Sequence, residues 1–207
     1  MKLFFEKRLL PAVTLFDADT AKRLAETYLR AGLDVMEITF RSDATLSAIK
    51  AVARTFPEMK IGAGTILHPR QVQFAKDAGA QFGLSPGFNE RVARSAKEKS
   101  LPFVPGVMTP SEVEKGLDMG FRILKLFPAD IAGGVRYIHS LQGPYAKTEM
   151  HLIPMGGVST ENLAEYLACD RVLAAGGSWL APKAKIEQGD FTVVENIVRR
   201  SLEIAGR

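Results

Sequence analysis

The sequence predicts an α/β protein with the (β/α)8 architecture of a TIM barrel, folded as a single domain over residues 1–207. Three observations carry this prediction. Short apolar runs of strand length alternate with longer stretches of helical periodicity, the alternation recurs about every 25 residues, and eight such units fit into the chain. This alternation is typical of parallel βαβ units, and eight units near the minimum barrel length favour the closed barrel.

The predicted strands are apolar runs of four to seven residues, at 9–15, 35–40, 60–64, 82–85, 103–107, 123–127, 151–155 and 172–175. A doubly wound fold is the alternative, but it needs only five or six units. No G-x-G-x-x-G follows the first strand, as a dinucleotide-binding fold of that kind would require. No linker, low-complexity segment or charge block divides the chain, so we expect one domain.

The predicted helices fill the intervals between strands, at 20–31, 44–56, 69–78, 89–99, 111–119, 135–141, 162–168 and 192–205. In the first helix, one face carries the apolar residues Ala21, Leu24, Ala25, Tyr28 and Leu29. Asp17 or Asp19 can cap its start, and Gly32 ends it. Later helices stop before Pro57, at Gly79 and at Gly120 in the same way.

Charge and cysteine content restrict the function classes. There are 27 Lys+Arg against 23 Asp+Glu, a net charge of +4 spread along the chain without a basic run. This excludes a nucleic-acid partner and leaves a mild preference for small anions. Cys169 is the single cysteine, so a reducing compartment fits best. There is no signal peptide pattern and no apolar run of about 20 residues, so we expect a soluble, cytoplasmic protein without membrane contact.

Charged residues occupy strand positions that should be apolar. In the second strand, Glu37 and Arg41 share their parity with Thr39, and in the sixth strand Lys125 lies between two leucines. Alternate residues of a barrel strand point inward, and active sites lie at the carboxyl ends of the strands. Because an unpaired buried charge is costly, these residues are expected to be paired or functional.

Two interpretations of this pattern remain open. A structural ion pair between Lys125 and Glu37 could tie two strands together. Alternatively, an apolar cavity favours the neutral amine of Lys125, which then attacks a ketone. In that case a carboxylate moves protons and an arginine holds a carboxylate substrate, which suits chemistry on a 2-oxo acid.

Two glycine pairs occur late in the chain, Gly156-Gly157 after the seventh strand and Gly176-Gly177 after the eighth. Loops at these two places in barrels frequently bind phosphate through backbone N–H groups. The alternative is that the glycines only make tight turns. Two pairs at these positions favour phosphate.

The sequence predicts no metal site and no cofactor. His68, His139 and His151 are scattered without partners at ligand spacing, and we expect them at the surface or at helix ends. Cys169 is expected to be a buried structural thiol, and no G-x-S-x-G or P-loop occurs.

With these residues in place, the sequence resembles the 2-keto-3-deoxy-6-phosphogluconate / 4-hydroxy-2-oxoglutarate aldolase family from about residue 11 to residue 180. The combination and order of the matching stretches are specific to that family. They are Glu37-Ile38-Thr39-Phe40-Arg41, Gly62-Ala63-Gly64-Thr65, Ser85-Pro86-Gly87, Pro105-Gly106-Val107-Met108-Thr109-Pro110, Leu124-Lys125-Leu126-Phe127-Pro128-Ala129, Gly156-Gly157-Val158 and Gly176-Gly177-Ser178-Trp179-Leu180.

The resemblance implies a class I aldolase that cleaves 2-keto-3-deoxy-6-phosphogluconate, or alternatively 4-hydroxy-2-oxoglutarate or the galactonate epimer. It implies that Lys125 forms a Schiff base and that Glu37 is the general acid/base. The implied substrate-binding residues are Arg41 and Thr65 for the pyruvate carboxylate, Phe127 beside the pyruvyl unit, Gly156, Gly157, Gly177 and Ser178 for phosphate, and also Pro86. It also implies a homotrimer without metal or organic cofactor. A barrel isomerase or decarboxylase, or a regulatory module that binds sugar phosphates, remains as an alternative.

The chain departs from the family pattern at two places. Met155 stands where many relatives have threonine, which removes a hydroxyl from the pocket expected for the aldehyde half. The end of the first strand reads Val13-Thr14-Leu15-Phe16, where some relatives have an inward arginine. Both departures concern substrate identity, and neither affects the lysine chemistry.

Overall fold

The computed structural model describes residues 2–206, in which parallel strands alternate with helices. The strands are β1 Leu9–Val13, β2 Val35–Thr39, β3 Lys60–Gly64, β4 Phe82–Leu84, β5 Phe103–Val104, β6 Gly106–Val107, β7 Ile123–Leu126, β8 His151–Pro154 and β9 Ala175–Gly177. The helices are α1 Ala18–Ala31, α2 Thr45–Thr55, α3 Pro69–Ala78, α4 Glu90–Glu98, α5 Pro110–Asp118, α6 Gly134–Gln142, α7 Leu163–Leu167, α8 Lys183–Glu187 and α9 Phe191–Ala205. Short 3-10 helices cover Lys2–Phe5 and Ser178–Leu180.

The strands form two parallel sheets, which confirms the α/β class. One sheet has the order β5-β4-β3-β2-β1-β9 and the other has the order β6-β7-β8. In the first sheet Glu37 lies opposite Ala12 on one side and Gly62 on the other. In the second sheet Lys125 lies opposite Gly106 and Ile153. The two charged residues identified from sequence therefore belong to different sheets.

Two predicted strands differ from the structure. The predicted strand 103–107 is divided into β5 and β6 at Pro105, because proline has no N–H for a strand ladder. The predicted strand 172–175 was placed too early, since β9 is Ala175–Gly177. Gly176 and Gly177 pair with Leu10 and Pro11 of β1, whereas Val172 makes only an isolated bridge to Leu152.

The first helix shows why these segments fold as predicted. The side chain of Asp17 accepts a hydrogen bond from the backbone N–H of Thr20 at 2.6 Å, which satisfies an otherwise unpaired donor at the start of α1. Gly32 ends the helix in the left-handed region at φ 93°. Most of the predicted apolar face, including Leu24 and Tyr28, is fully buried, whereas Leu29 is half-buried. These observations confirm both the cap and the face.

Helices cover the sheets on their outer side. Helix α1 packs against α2 and α9, and α3 packs between α2 and α4. None of the helices formed by residues 2–206 is long and apolar enough to cross a membrane. The buried core is apolar apart from a few polar side chains, and Glu37 and Lys125 are the two charged residues among those whose burial the structure describes.

Candidate active site

Lys125 and Glu37 meet inside the protein. The Nζ atom of Lys125 lies 3.6 Å from Oε1 of Glu37, and the two side chains are 4% and 0% exposed. The inward orientation predicted from strand parity is therefore confirmed. The contact is longer than a hydrogen bond, and within the described residues neither carboxylate oxygen of Glu37 has a hydrogen-bond partner. Buried polar groups are normally hydrogen-bonded, so a purely structural role does not explain a buried carboxylate without hydrogen bonds.

Gly64 makes the space that this carboxylate occupies. It lies in β3 beside β2, and a Cβ atom built on it would overlap the carboxyl group of Glu37. Gly64 is thus required by the close approach of the Glu37 side chain.

Thr39 shares the inward parity of Glu37 but has a structural environment. Its hydroxyl donates to the carbonyl of Val13 at 3.0 Å and lies 2.9 Å from the hydroxyl of Thr14. These contacts join the carboxyl ends of β1 and β2 beneath the site. The hydroxyl of Thr39 is therefore already engaged in contacts that hold the two strands together.

A cavity of about 100 Å³ opens at the carboxyl ends of the strands above this pair. Lys125 lines it, with its Nζ atom 5.2 Å from the ring centre of Phe127. The structure thus brings most of the predicted site residues to one place. The lining residues are Ala12, Arg41, Lys125, Phe127, Met155, Gly156, Gly157, Val158, Gly177 and Ser178.

Met155 is one of the lining residues, and it is 2% exposed. Its terminal methyl carbon packs so closely on Gly176 that a Cβ atom there would lie 2.8 Å from it. Met155 therefore faces this cavity, in the pocket where the sequence places it. Its thioether offers apolar surface and only a weak acceptor at this position.

Two predicted binding residues lie outside this lining. Thr65 follows β3 with φ 57°, which is unusual for a β-branched residue, and its buried hydroxyl has no partner among the described residues. Pro86 follows β4, and its carbonyl group packs where a Cβ atom of Gly106 would lie. The structure places both residues at the carboxyl ends of neighbouring strands without bringing them to the cavity wall.

The glycines after β8 have positive φ angles, 87° at Gly156 and 85° at Gly157. A Cβ atom on Gly156 would also lie 3.2 Å from the ring of Phe127. Gly177 is extended, and its lack of a side chain leaves room for the ring of Trp179. Turn geometry and packing therefore explain part of the glycine pattern, and the loops present backbone to the cavity.

A second, larger cavity of about 810 Å³ was not predicted from the sequence. It shares Ala12, Arg41, Val158 and Ser178 with the first cavity, so the two adjoin. The remaining wall comes from the chain after β1, from the 3-10 helix after β9 and from α8. It consists of Thr14, Leu15, Phe16, Asp17, Thr20, Trp179, Ala181, Pro182, Lys183, Ile186 and Glu187.

Histidines and Cys169 lie away from both cavities. His68 precedes α3 and His139 lies in α6, both exposed, while half-buried His151 begins β8. Cys169 is buried as expected, and desolvation raises the pKa of its thiol. Among residues 2–206, no three His, Cys, Asp or Glu side chains group in a way that could hold a metal ion.

Comparison with known proteins gives consistent matches over nearly the whole chain. A family model described as KDPG and KHG aldolase matches residues 2–197. The chain is 40% identical over 199 residues to 2-dehydro-3-deoxy-phosphogluconate aldolase of Treponema pallidum (strain Nichols), covering 96% of this chain and 94% of that protein. It is 37% identical over 194 residues to KHG/KDPG aldolase of Escherichia coli (strain K12), covering 94% and 90%.

A solved structure agrees with these sequence matches. It is KDPG aldolase from Legionella pneumophila with pyruvate captured at low pH as a covalent carbinolamine intermediate. The TM-score is 0.91 at 31% identity, and the match covers 95% of each chain.

Proposed function

Because this chain belongs to the KDPG and KHG aldolase family, we propose that it is a class I aldolase that cleaves 2-keto-3-deoxy-6-phosphogluconate reversibly to pyruvate and glyceraldehyde 3-phosphate. One observation carries the proposal at the level of the site. The amine of Lys125 lies 3.6 Å from a buried carboxylate of Glu37 that has no hydrogen-bond partner among the described residues, and it lines a cavity. A nucleophile and a proton acceptor are thus available at one point.

Lys125 acts as the nucleophile. Its neutral amine adds to the C2 ketone of the substrate, and loss of water from the carbinolamine gives an iminium ion. This cation is an electron sink for the bond between C3 and C4. Glu37 accepts the proton of the C4 hydroxyl, the C3–C4 bond breaks, and its electron pair moves into an enamine. Glyceraldehyde 3-phosphate leaves, C3 of the enamine is protonated with the help of Glu37, and hydrolysis releases pyruvate and the free lysine.

Arg41 binds the substrate carboxylate. It lines the catalytic cavity, and its guanidinium group can donate two parallel hydrogen bonds to a carboxylate. Phe127 supplies an apolar face beside the pyruvyl unit, because its ring already packs near the amine. The hydroxyl of Thr65, which has no hydrogen-bond partner among the described residues, and the segment at Pro86 complete the carboxylate side of the site when substrate is bound.

The phosphate binds at the two glycine loops. Gly156, Gly157, Gly177 and Ser178 line the outer part of the catalytic cavity, where a phosphate can approach backbone N–H groups without meeting a side chain. Ser178 is exposed, and its hydroxyl can donate to a phosphate oxygen.

The architecture proposed for this site is a closed eight-stranded barrel in one domain. Segments β5 and β6 are consecutive and together make one interrupted strand. The bridge between Met155 and Gly176 joins the end of β8 to β9, which pairs in turn with β1. Following the family pattern, we propose a homotrimer that uses no metal or organic cofactor.

A second substrate within the same chemistry is 4-hydroxy-2-oxoglutarate. Escherichia coli KHG/KDPG aldolase, at 37% identity, carries both activities in its name. A coupled assay that measures pyruvate released from each substrate tests the proposal and ranks the two. We expect turnover of the phosphorylated substrate that Lys125→Ala abolishes. Turnover that survives this substitution would contradict the assignment.

A further inference from the structure

The larger cavity carries an inference about substrate selection that rests on the function proposed above. Because Ser178 lines both cavities, a group bound at the glycine loops also faces the larger one. Helix α8 forms another part of the wall of that cavity and is therefore in a position to contact the outer end of a bound substrate. The charges on that wall determine which outer ends are favoured.

Among the residues that line the two cavities, only three side chains are cationic, namely Arg41, Lys125 and Lys183. The first two are engaged by the carboxylate and the ketone of the substrate. The end of β1 offers only the neutral Thr14, whose hydroxyl lies 2.9 Å from that of Thr39. Lys183 is thus the cation that remains for a distal anion.

Lys183 lines the larger cavity and makes two weak contacts there. Its Nζ atom lies 5.5 Å from the ring centre of Phe16 and 3.5 Å from Oε1 of Glu187. The side chains of the ion pair are 69% and 57% exposed, so solvent screens their attraction. A doubly charged phosphate is a stronger partner for an ammonium group than one solvated carboxylate. Lys183 can therefore leave Glu187 when a phosphate arrives.

We propose that Lys183 binds the terminal phosphate of the aldehyde half and sets the preference for the phosphorylated six-carbon substrate over 4-hydroxy-2-oxoglutarate. The two substrates differ in reach. 4-Hydroxy-2-oxoglutarate ends in a carboxylate at C5, whereas the phosphate of the longer substrate follows C6 and an ester oxygen. A cation on the outer wall contacts only the longer molecule.

Binding of inorganic phosphate tests this role without catalysis. Trp179 is the only tryptophan and lines the same cavity, so its fluorescence reports phosphate binding there. Calorimetry measures the dissociation constant independently. We expect Lys183→Gln to weaken phosphate binding about tenfold, whereas Lys183→Arg retains most of the affinity. Glu187→Gln should strengthen binding, because it removes the competing carboxylate.

Lys185 provides the matched control. It lies on the same short helix, pairs with Asp190 at 3.5 Å and does not line the cavity. Lys185→Gln removes one positive charge from α8 and should leave phosphate affinity unchanged. Equal losses of phosphate affinity in Lys183→Gln and Lys185→Gln would mean that net charge alone causes the effect, and this would overturn the proposal.

Steady-state kinetics then test the preference. In Lys183→Gln, KM for the phosphorylated substrate should rise about tenfold with little change in kcat, and KM for 4-hydroxy-2-oxoglutarate should rise less than twofold. Equal increases for both substrates, or no phosphate response in the unaltered protein, would overturn the inference. If the unaltered protein cleaves neither substrate, the proposed function is wrong, and the phosphate titration alone decides the role of Lys183.

Discussion

Two lysine–glutamate pairs of nearly equal length lie in very different surroundings in this protein, and we propose different tasks for them. Lys125 and Glu37 lie 3.6 Å apart, and Lys183 and Glu187 lie 3.5 Å apart. The first pair is buried and comes from two sheets, whereas the second is mostly exposed and lies on one turn of α8. Distance therefore says little about function. Burial makes the first pair costly to maintain, and exposure leaves the second free to exchange partners.

Neutralising a buried carboxylate and an exposed one should produce the largest difference, and the difference is in kcat. Glu37→Gln should lower kcat by about 10²–10⁴-fold while pyruvate still binds, because the proton acceptor is lost and the shape is kept. Glu90→Gln is the matched control, since Glu90 pairs with Arg94 on the exposed surface of α4. Steady-state kinetics on both variants make the comparison. A fully active Glu37→Gln enzyme would restore the interpretation of Lys125–Glu37 as a structural ion pair.

The same contrast should appear in stability. Lys125→Met leaves the carboxylate of Glu37 buried without a counterion, and we expect the free energy of unfolding to fall by about 3–5 kcal/mol. Lys183→Met breaks an exposed pair and should cost about 0.5 kcal/mol or less. Urea denaturation of the two variants beside the unaltered protein measures both values. Similar losses would show that burial does not separate the pairs.

Glycine substitutions test the space around the buried pair. A methyl group on Gly64 overlaps the carboxylate of Glu37, so Gly64→Ala should lower stability by about 1–3 kcal/mol and reduce kcat as well. Gly87→Ala is the control, since a Cβ atom there would have no neighbour within 4 Å. Thermal unfolding and kinetics on both variants give the result. A Gly64→Ala protein with unchanged kcat would mean that the position of Glu37 is not critical.

Met155 should have the smallest effect. A hydroxyl at this lining position could bind a substrate hydroxyl, and a lost hydrogen bond is worth about 0.5–1.5 kcal/mol. We therefore expect the protein to discriminate weakly between the gluconate and galactonate epimers, and Met155→Thr to raise selectivity for one of them several-fold. Rates on both epimers check this. Thousandfold discrimination by the unaltered protein, or rates unaffected by the threonine, would contradict it.

Sequence alone located the buried pair and missed the exposed one, for physical reasons. Strand residues alternate strictly between two faces. The two leucines that flank Lys125 therefore indicate that its side chain points to the opposite face. Helix α8 has five residues, which is too short for a helical period to be visible. The larger cavity also joins segments far apart in sequence, near Phe16 and near Trp179. Its existence depends on packing that no local pattern records.

The displaced last strand has a related cause. Gly176 and Gly177 have no side chains, so they carry no apolar pattern, and the prediction stopped at the preceding apolar residues. In the structure these glycines pair with β1 and bring Ser178 to the cavity. The buried Thr65 hydroxyl, without a partner among the described residues, was equally unpredictable from sequence. Its position depends on a left-handed backbone conformation that β-branched residues rarely adopt.

Trapping of the covalent intermediate tests the central claim most directly. Incubation with pyruvate and borohydride should inactivate the protein irreversibly, and peptide mass spectrometry should find one reduced pyruvate adduct on Lys125. Lys125→Ala should show neither effect, while Lys183→Gln should be labelled normally because its exposed amine takes no part in imine formation. An adduct on a helix lysine such as Lys76 or Lys97, or the absence of any adduct, would contradict the assignment of the buried pair as the catalytic centre.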